Sequence, residues 1–188
     1  MNKHIITSLL LLAAGSVQAV EYNQLQAAQS ALTFGYKQMG VPLTGKFNKF
    51  SAQVSFDPAK LAKAQAHIDV VLASIDTGST DADEEVAGRQ WFNAKTYPLA
   101  TFTSSGVTAL GGNRYQATGK LSIKGRTMDV TAPVTFQSEG NRGVFDGTFN
   151  IKRLAYAIGE GEWTDVSTVA DEIQIKFHLV VLAAPVKK

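Results

Sequence analysis

The sequence predicts an all-β protein, a closed antiparallel barrel of about eight strands with a short helix at one end. Apolar and polar residues alternate along many separate stretches, which is typical of strands with one buried face. Short turns rich in Gly and Asn join several of these stretches, as in β-hairpins. Only one stretch outside the N-terminus breaks the alternation and has helical character.

The alternating runs define the strands. Each run has apolar residues at every second position and hydrophilic residues between them, so each has one face for the core and one for solvent. The runs cover residues 32–36, 50–56, 68–72, 115–123, 128–136, 145–151 and 173–181. With the hairpin turns between them, they give about eight strands.

The turns predict how the strands pair. Gly111-Gly112-Asn113, Lys124-Gly125 and Gly140-Asn141 are short turn sequences, which favour antiparallel pairing of consecutive strands. The spacing from Phe47 to Phe50 breaks the alternation and predicts a bulge or bend near Asn48. Such a bend is one way in which a sheet curls and closes.

The stretch from Asp81 to Gln90 predicts the helix. It begins with four acidic residues and has Arg89 near its end, so its charges oppose the helix dipole. We place this helix at the mouth of the barrel. No internal repeat or linker interrupts the chain, which favours a single domain over residues 20–188.

The first nineteen residues predict a signal peptide. Lys3 precedes a nearly unbroken apolar run over residues 5–14, and Val17-Gln18-Ala19 ends in a small residue that suits signal cleavage. A membrane span would need about 20 apolar residues. We therefore expect a mature periplasmic chain that begins near Val20 and, because it has no Cys, carries no lipid anchor.

Composition excludes several classes of function. The chain has 18 Lys and Arg against 16 Asp and Glu, a balance that does not supply the basic surface of a nucleic-acid-binding protein. It has no Cys, which excludes disulfides, thiolate metal sites and cysteine nucleophiles. Apolar residues make up 45% and charged residues 18%, as in ordinary globular proteins.

The scarce chemical groups do not converge. His67 and His178 fall on the polar phase of their strands, so we expect both on solvated faces, without a catalytic or metal role. The acidic cluster at 81–85 lacks the spacing of a calcium loop and suits a helix N-terminus. Gly159-Glu160-Gly161 is interpreted as a loop. No cofactor and no metal are predicted.

The interior has two interpretations. Large residues such as Phe102 and Phe177 share the inward face with small ones such as Gly119 and Gly147. This mixture leaves open an elongated channel or a solid, interdigitated core. The same choice applies to four aromatic residues near loops and the helix end, which either cover the core or line the entrance of an apolar pocket: Trp91, Phe92, Tyr156 and Trp163.

Six spaced sequence blocks carry a family resemblance. They are Thr44-Gly45-Lys46-Phe47 with Phe50, Phe56-Asp57-Pro58, Ser74-Ile75-Asp76-Thr77-Gly78, Trp91-Phe92, Tyr97-Pro98 with Thr101-Phe102, and Gly119-Lys120-Leu121-Ser122-Ile123-Lys124-Gly125. In this order, from about Ser30 to about Leu182, the chain resembles the YceI-like family of periplasmic polyisoprenoid-binding proteins. One departure is Ala82-Asp83-Glu84-Glu85-Val86, where the family usually has Arg-Asp followed by His-Leu.

The resemblance implies a lipocalin-like, eight-stranded barrel with a helix across one end. It also implies an elongated apolar cavity that holds the tail of an isoprenoid lipid or a quinone. The residues that we expect to bind this tail are Phe34, Tyr36, Val54, Ile68, Val70, Trp91, Phe92, Phe102, Leu121, Ile123, Phe145, Phe149, Tyr156, Trp163, Ile173 and Phe177.

These observations favour a non-enzymatic periplasmic carrier of a prenylated lipid. One alternative is an enzyme that acts on an apolar substrate at the barrel mouth, with Asp83 or Glu85 as general base. Another is a solid barrel that docks a membrane redox partner, such as a quinone-linked cytochrome. The sequence also leaves open a homodimer.

Overall fold

The computed structural model describes residues 20–184 and shows one antiparallel sheet with a short helix. The predicted signal peptide at 1–19 lies outside the described residues. Within the described range, no helix is long and apolar enough to cross a membrane. The helix α1 is Thr80–Ala87, and the strands are β1 Tyr22–Leu25, β2 Ala31–Gln38, β3 Val41–Phe47, β4 Phe50–Ser55, β5 Gln65–Val71, β6 Ile75–Asp76, β7 Leu99–Gly111, β8 Arg114–Ile123, β9 Arg126–Glu139, β10 Arg142–Lys152 and β11 Glu172–Ala183.

The strands pair in the order β4, β5, β7, β8, β9, β10, β11, β2, β3, β6, and β1 lies beside β11. The three predicted turns, at 111–113, 124–125 and 140–141, join β7 to β8, β8 to β9 and β9 to β10. Lys124 and Gly125 both have positive φ, as a two-residue hairpin turn requires. The predicted hairpin order is therefore confirmed for this half of the sheet.

The sheet curls until its two ends meet. Tyr22 of β1 and Phe56, next to β4, exchange backbone hydrogen bonds of 2.9 and 3.2 Å, while β1 also pairs with β11. On the other side, the chain bends at Asn48 and passes directly from β3 into β4. The backbone N–H of Asn48 donates to Ser74 O at 2.9 Å. The predicted bend near Asn48 is confirmed, and it connects two strands that lie far apart in the sheet order.

The structure has eleven strands where the sequence predicted about eight. β1 and β6 contain four and two residues, which is too short for an alternating pattern to show. β3 contains Pro42 and Gly45, two residue types that are depleted in strands. These three strands do not change the architecture, but β1 and β3 provide the contacts that close it.

The helix is shorter than the sequence predicted. Instead of running to Gln90, it ends at Ala87, and Gly88 has extended backbone with its N–H donating to Glu85 O at 2.9 Å. Arg89 therefore lies beyond the helix and does not oppose its dipole. The acidic first turn, with Asp81 and Asp83, is as expected.

Two clusters of buried residues occupy the two ends of the barrel. At the aromatic end, the ring of Phe56 lies 4.7 Å from Phe136 and 5.0 Å from Phe145, centroid to centroid, and Tyr22 packs on Phe136. At the helix end, the segments that follow β5, α1 and β10 contribute to the cluster, which includes Leu72, Trp91, Tyr156, Ile158 and Val169.

Phe136 of β9 covers Gly143 of β10 at the aromatic end, and three further phenylalanine rings on the inner face lie over glycines of the neighbouring strand. Phe34 of β2 covers Gly45 of β3, Phe102 of β7 covers Gly119 of β8, and Phe177 of β11 covers Gly147 of β10. In each pair, the far edge of the ring occupies the space that a Cβ on the glycine would need. The rings therefore lean along the barrel wall and leave its centre free.

We expect Gly147→Ala to destabilise the fold, because its Cβ would overlap the Phe177 ring and lie 2.7 Å from Pro133 O. Overpacking of this kind costs about 1–3 kcal/mol of the free energy of unfolding. Gly106→Ala is the matched control, since its Cβ would meet only Thr118 Oγ1, at 3.6 Å. Urea denaturation measures both. Equal stabilities of the two variants would contradict this account of the wall.

Candidate binding cavity

The barrel encloses an elongated apolar cavity of about 510 Å³. Pockets of about 300–1,000 Å³ hold small molecules in proteins. Along β2, every second residue from Leu32 to Gln38 lines it, a distance of roughly 20 Å at the usual strand rise. Aliphatic and aromatic side chains form most of the wall, and the polar or charged exceptions are Gln38, Ser55, Gln65, Thr77, Asp81, Glu85, Ser104 and Arg153.

The structure places fifteen of the sixteen predicted tail-binding residues on this wall. They come from seven strands, from the segment after α1 and from the segment after β10, and period-two alternation points the strand residues inward. They are Phe34, Tyr36, Val54, Ile68, Val70, Trp91, Phe92, Phe102, Leu121, Ile123, Phe145, Phe149, Trp163, Ile173 and Phe177.

Tyr156 is the exception, and its predicted place on the wall is wrong. It belongs to a 3-10 turn at Arg153–Tyr156 and packs into the helix-end cluster, where it is 2% exposed. A 3-10 turn has three residues per turn, so the facing that alternation sets along β10 does not continue through it. Burial raises the pKa of the Tyr156 phenol.

The cavity decides between the two interpretations of the interior. The small residues Ala117 and Ala132 lie on its wall, and the large rings beside them lean along the strands. The barrel is therefore hollow, and the solid-barrel alternative does not fit it. Trp91, Phe92 and Trp163 line the pocket, although Trp91 is only 7% exposed and also belongs to the core.

The helix supplies carboxylates at the rim. Asp81 and Glu85 are exposed and line the cavity, which places α1 at the mouth as predicted. Asp83, a candidate general base, does not line it. Its Oδ1 instead accepts hydrogen bonds from the N–H and the hydroxyl of Thr77, both at 2.7 Å. Burial, followed by the charge of Asp83, raises the pKa of Tyr36 on the wall.

The two histidines lie outside the cavity, on the solvated faces where the sequence places them. His67 Nε2 is 3.2 Å from Asp69 Oδ1, and His178 Nδ1 is 2.7 Å from Asp146 Oδ1. Both imidazoles are about two-fifths exposed. Among residues 20–184, no group of three or more His, Asp or Glu side chains is placed to hold a metal ion.

Arg153 is a wall residue that the sequence analysis missed. It is 1% exposed, forms no ion pair within residues 20–184, and uses its guanidinium to donate to five backbone carbonyls. Burial lowers the pKa of Arg153, although the negative charge of Asp171 opposes this shift. The acceptor oxygens are those of Ala170 (3.1 Å), Ile158 (2.9 Å), Gly159 (3.5 Å), Trp163 (2.7 Å) and Val169 (2.6 Å).

These bonds hold the loop 158–170 against the helix end of the barrel. Gly159 has φ +85°, and a Cβ there would overlap Arg153 Nη1, so glycine is required. The guanidinium carbon lies 5.2 Å from the centroid of Trp91. The alternation along β10 could have indicated that Arg153 faces inward. Phe149, Ile151 and Arg153 are each two residues apart, so their side chains lie on the same face.

Two buried hydrogen-bond donors at this end have no acceptor. Trp91 Nε1 and Trp163 Nε1 are both buried and unpaired in the described structure. The two rings lie 5.3 Å apart, centroid to centroid, and both line the cavity. An unsatisfied buried donor costs about 1–3 kcal/mol.

A curled antiparallel barrel around an apolar cavity defines the lipocalin-like class of binding barrels. The YceI-like domain model matches residues 23–181, and the chain belongs to this family. A UPF0312 protein of Shewanella denitrificans is 30% identical over 145 residues, which cover 74% of this chain and 76% of the relative. Another, of Azotobacter vinelandii, is 28% identical over 173 residues, or 88% of each chain.

Solved structures show the same fold. BcnA of Burkholderia cenocepacia is 52% identical, with a TM-score of 0.82, and the match covers 84% of this chain and 99% of that one. A polyisoprenoid binding domain from Saccharophagus degradans is 18% identical, with a TM-score of 0.68, and the match covers 88% and 99%.

We expect Arg153→Met to loosen the loop 158–170, because five carbonyls at a buried site lose their donor. The expected loss in the free energy of unfolding is about 3 kcal/mol or more. Arg126→Met is the matched control: Arg126 is exposed and donates to a single carbonyl, that of Ala155 at 3.3 Å. We expect a change within about 0.5 kcal/mol for this control.

Hydrogen exchange at Ile158 and Val169 distinguishes local loosening from global unfolding. Arg153→Lys keeps the charge but has three donors on one atom, so it restores only part of the protection. Full protection in Arg153→Met would show that the loop does not depend on the guanidinium.

Proposed function

We propose that the protein binds an isoprenoid lipid or an isoprenoid quinone and holds the tail non-covalently inside the barrel. The observation that carries this proposal is the hollow interior, about 510 Å³ in volume, with a wall of aliphatic and aromatic side chains. Such a wall offers an apolar chain contact along its whole length and offers few groups for chemistry.

The energetics favour a carrier. Moving a methylene group out of water contributes about 0.8 kcal/mol, so the sum for a long tail would exceed the practical affinity limit of roughly 20 kcal/mol. The tail, however, comes from a bilayer that is already apolar. Transfer into the barrel is therefore close to neutral, and shape and head-group contacts decide the balance. Reversible exchange with a membrane follows from this.

Similarity supports the ligand class. The Saccharophagus degradans neighbour is described as a polyisoprenoid binding domain, and this chain has the same fold. In this chain, wall residues such as Leu32, Ile68 and Leu121 provide the aliphatic contacts, and the rings of Phe34 and Phe177 provide broad flat ones.

We propose that this carrier works in the periplasm and is not an enzyme. The first nineteen residues support export, because they have the charge, apolar run and small residue of a signal peptide. Two further observations support a binding role. Asp83 Oδ1 already accepts two hydrogen bonds from Thr77, and both histidines point away from the cavity. A membrane redox partner and a homodimer stay predictions from the sequence.

A substitution that fills the cavity tests the proposal. Ala132 lies on the wall and is 6% exposed, whereas Thr131 beside it is exposed on the outer face. We expect Ala132→Phe to weaken the binding of geranylgeraniol to delipidated protein by about tenfold or more, because the added ring takes up tail space. Thr131→Phe is the matched control and should stay within about twofold.

Binding can be followed by tryptophan fluorescence, since both tryptophans line the cavity. Thermal melting of each variant verifies that it is folded. Equal affinity of a folded Ala132→Phe variant, or no binding by the unaltered protein, would contradict the proposal.

A further inference from the structure

We propose that the β2–β3 hairpin and the loop beside it form a docking surface, with which the mouth of the cavity contacts a bilayer of zwitterionic lipids while the ligand is exchanged. We call this surface the mouth patch; it consists of Met39, Val41, Leu43 and Val166. The inference rests on the proposed function, because a tail that comes from a bilayer has to pass into the cavity. It adds the partner of the exchange and the end of the barrel that meets it.

The mouth patch gathers exposed apolar side chains in one place. Among the described residues, the three most exposed large apolar side chains are those of Met39 (71%), Val41 (57%) and Val166 (52%). Val41 directly follows the turn between β2 and β3, in which Met39 lies. The backbone N–H of Met39 donates to Thr168 O at 2.9 Å, which brings Val166, two residues earlier in the loop, beside the hairpin. Single exposed apolar residues are ordinary, whereas a contiguous group marks an interaction site.

The residue at the tip of this hairpin is an unfavourable choice for the turn. Met39 and Gly40 both have positive φ, 50° and 79°, as in a type I′ turn. Asn, Asp or Gly is favoured at the first of these positions, and other side chains are uncommon there. Lys124 occupies the same position in the β8–β9 turn, but its side chain is largely buried and donates to Glu160. Met39 is exposed instead, which points to a partner outside the fold.

The mouth patch is continuous with the wall of the cavity. Residues directly opposite one another in an antiparallel pair have their side chains on the same face of the sheet. Val41 lies opposite Gln38, and Leu43 lies opposite Tyr36. Gln38 and Tyr36 both line the cavity. A tail that leaves a bilayer at Val41 therefore reaches the cavity along one face of the hairpin.

The charges near the mouth patch favour a neutral lipid surface. Lys37 and Asp165, the charged residues next to the patch in the chain, are both exposed and have opposite signs. Asp81 and Glu85 of α1 add two exposed carboxylates at the rim, and these repel an anionic surface. Apolar contact therefore has to supply the affinity for the bilayer, and salt should have little effect on it.

The test measures docking on vesicles of phosphatidylcholine that carry a small fraction of dansyl-labelled lipid. Both tryptophans of the chain, Trp91 and Trp163, lie at the helix end, so energy transfer from tryptophan to dansyl reports contact of this end with the surface. We expect delipidated protein to dock reversibly and to stay docked when the salt concentration is raised. It should dock more weakly on vesicles of phosphatidylglycerol, which are anionic.

Met39→Asn separates docking from stability. The variant has the Asn-Gly turn that a type I′ hairpin favours, so its melting temperature should equal or exceed that of the unaltered protein. Docking should be about tenfold weaker, because an apolar side chain is lost from the contact. Leu110→Asn is the matched control: Leu110 is exposed too, but it lies next to the turn at 111–113, which bonds to Phe136 at the aromatic end. Its docking should stay within about twofold.

The outcomes separate this inference from the proposed function. Geranylgeraniol added without vesicles should bind to Met39→Asn within about twofold of the unaltered protein, because Met39 lies outside the cavity. If the unaltered protein does not bind it, the proposed function is wrong. If geranylgeraniol binds but vesicles do not, or if both variants weaken docking equally, the docking surface is wrong and the tail-binding function stands. A dimer that Met39→Asn dissociates, seen by sedimentation, would assign the patch to a second copy of the chain and overturn the bilayer as its partner.

Discussion

Phenylalanine rings that lie over glycines keep the interior of this barrel open. A barrel of about eight strands is just wide enough for its own side chains to fill or for one small ligand to occupy. Phe34, Phe102 and Phe177 would fill the centre if they stood upright from the strands. Because each has a glycine beside it on the next strand, each ring can lie along the wall. The rest of the cavity depends on this packing.

The same packing explains how an apolar interior coexists with an ordered fold. The rings keep their contact with the backbone of the neighbouring strand, so the wall stays densely packed while the centre is empty. The aromatic end is closed by rings that pack against one another around Phe56, and the backbone bonds between Tyr22 and Phe56 close the sheet there.

The helix end is held together by hydrogen bonds to one side chain, whereas the aromatic end is held by packed rings. There, the loop 158–170 has little regular structure and is held by carbonyl oxygens that converge on one guanidinium, that of Arg153. This arrangement positions Trp163 opposite Trp91 and leaves their indole donors unpaired. The two ends of the cavity therefore differ: packed rings close one end, and a loop held by a buried guanidinium forms the other.

The sequence predicts the residues of the cavity wall well because successive side chains of a strand point to opposite faces of the sheet. Phe145 and Phe149, or Ile173 and Phe177, need only the alternation of their own strand to be placed inward. The prediction for Tyr156 is wrong because this residue follows the strand in a 3-10 turn, where the alternation no longer applies.

Whether the barrel is hollow could not be predicted from the sequence. The sequence shows that Phe177 and Gly147 both face inward, but they are thirty residues apart, and only the register of β10 with β11 places one over the other. The hydrogen bonds of Arg153 could not be predicted for a similar reason, because its acceptors are carbonyls of a loop without a periodic pattern. Contacts that depend on register or on loop geometry have no signature within a single segment.

If the open barrel holds one apolar-tailed molecule, the native mass of the protein purified without detergent from the cells that produce it shows this most directly. We expect a chain that begins near Val20 and carries one additional lipid mass, which organic solvent removes. A ligand-free mass in repeated preparations, unchanged after incubation with a prenyl lipid, would contradict it.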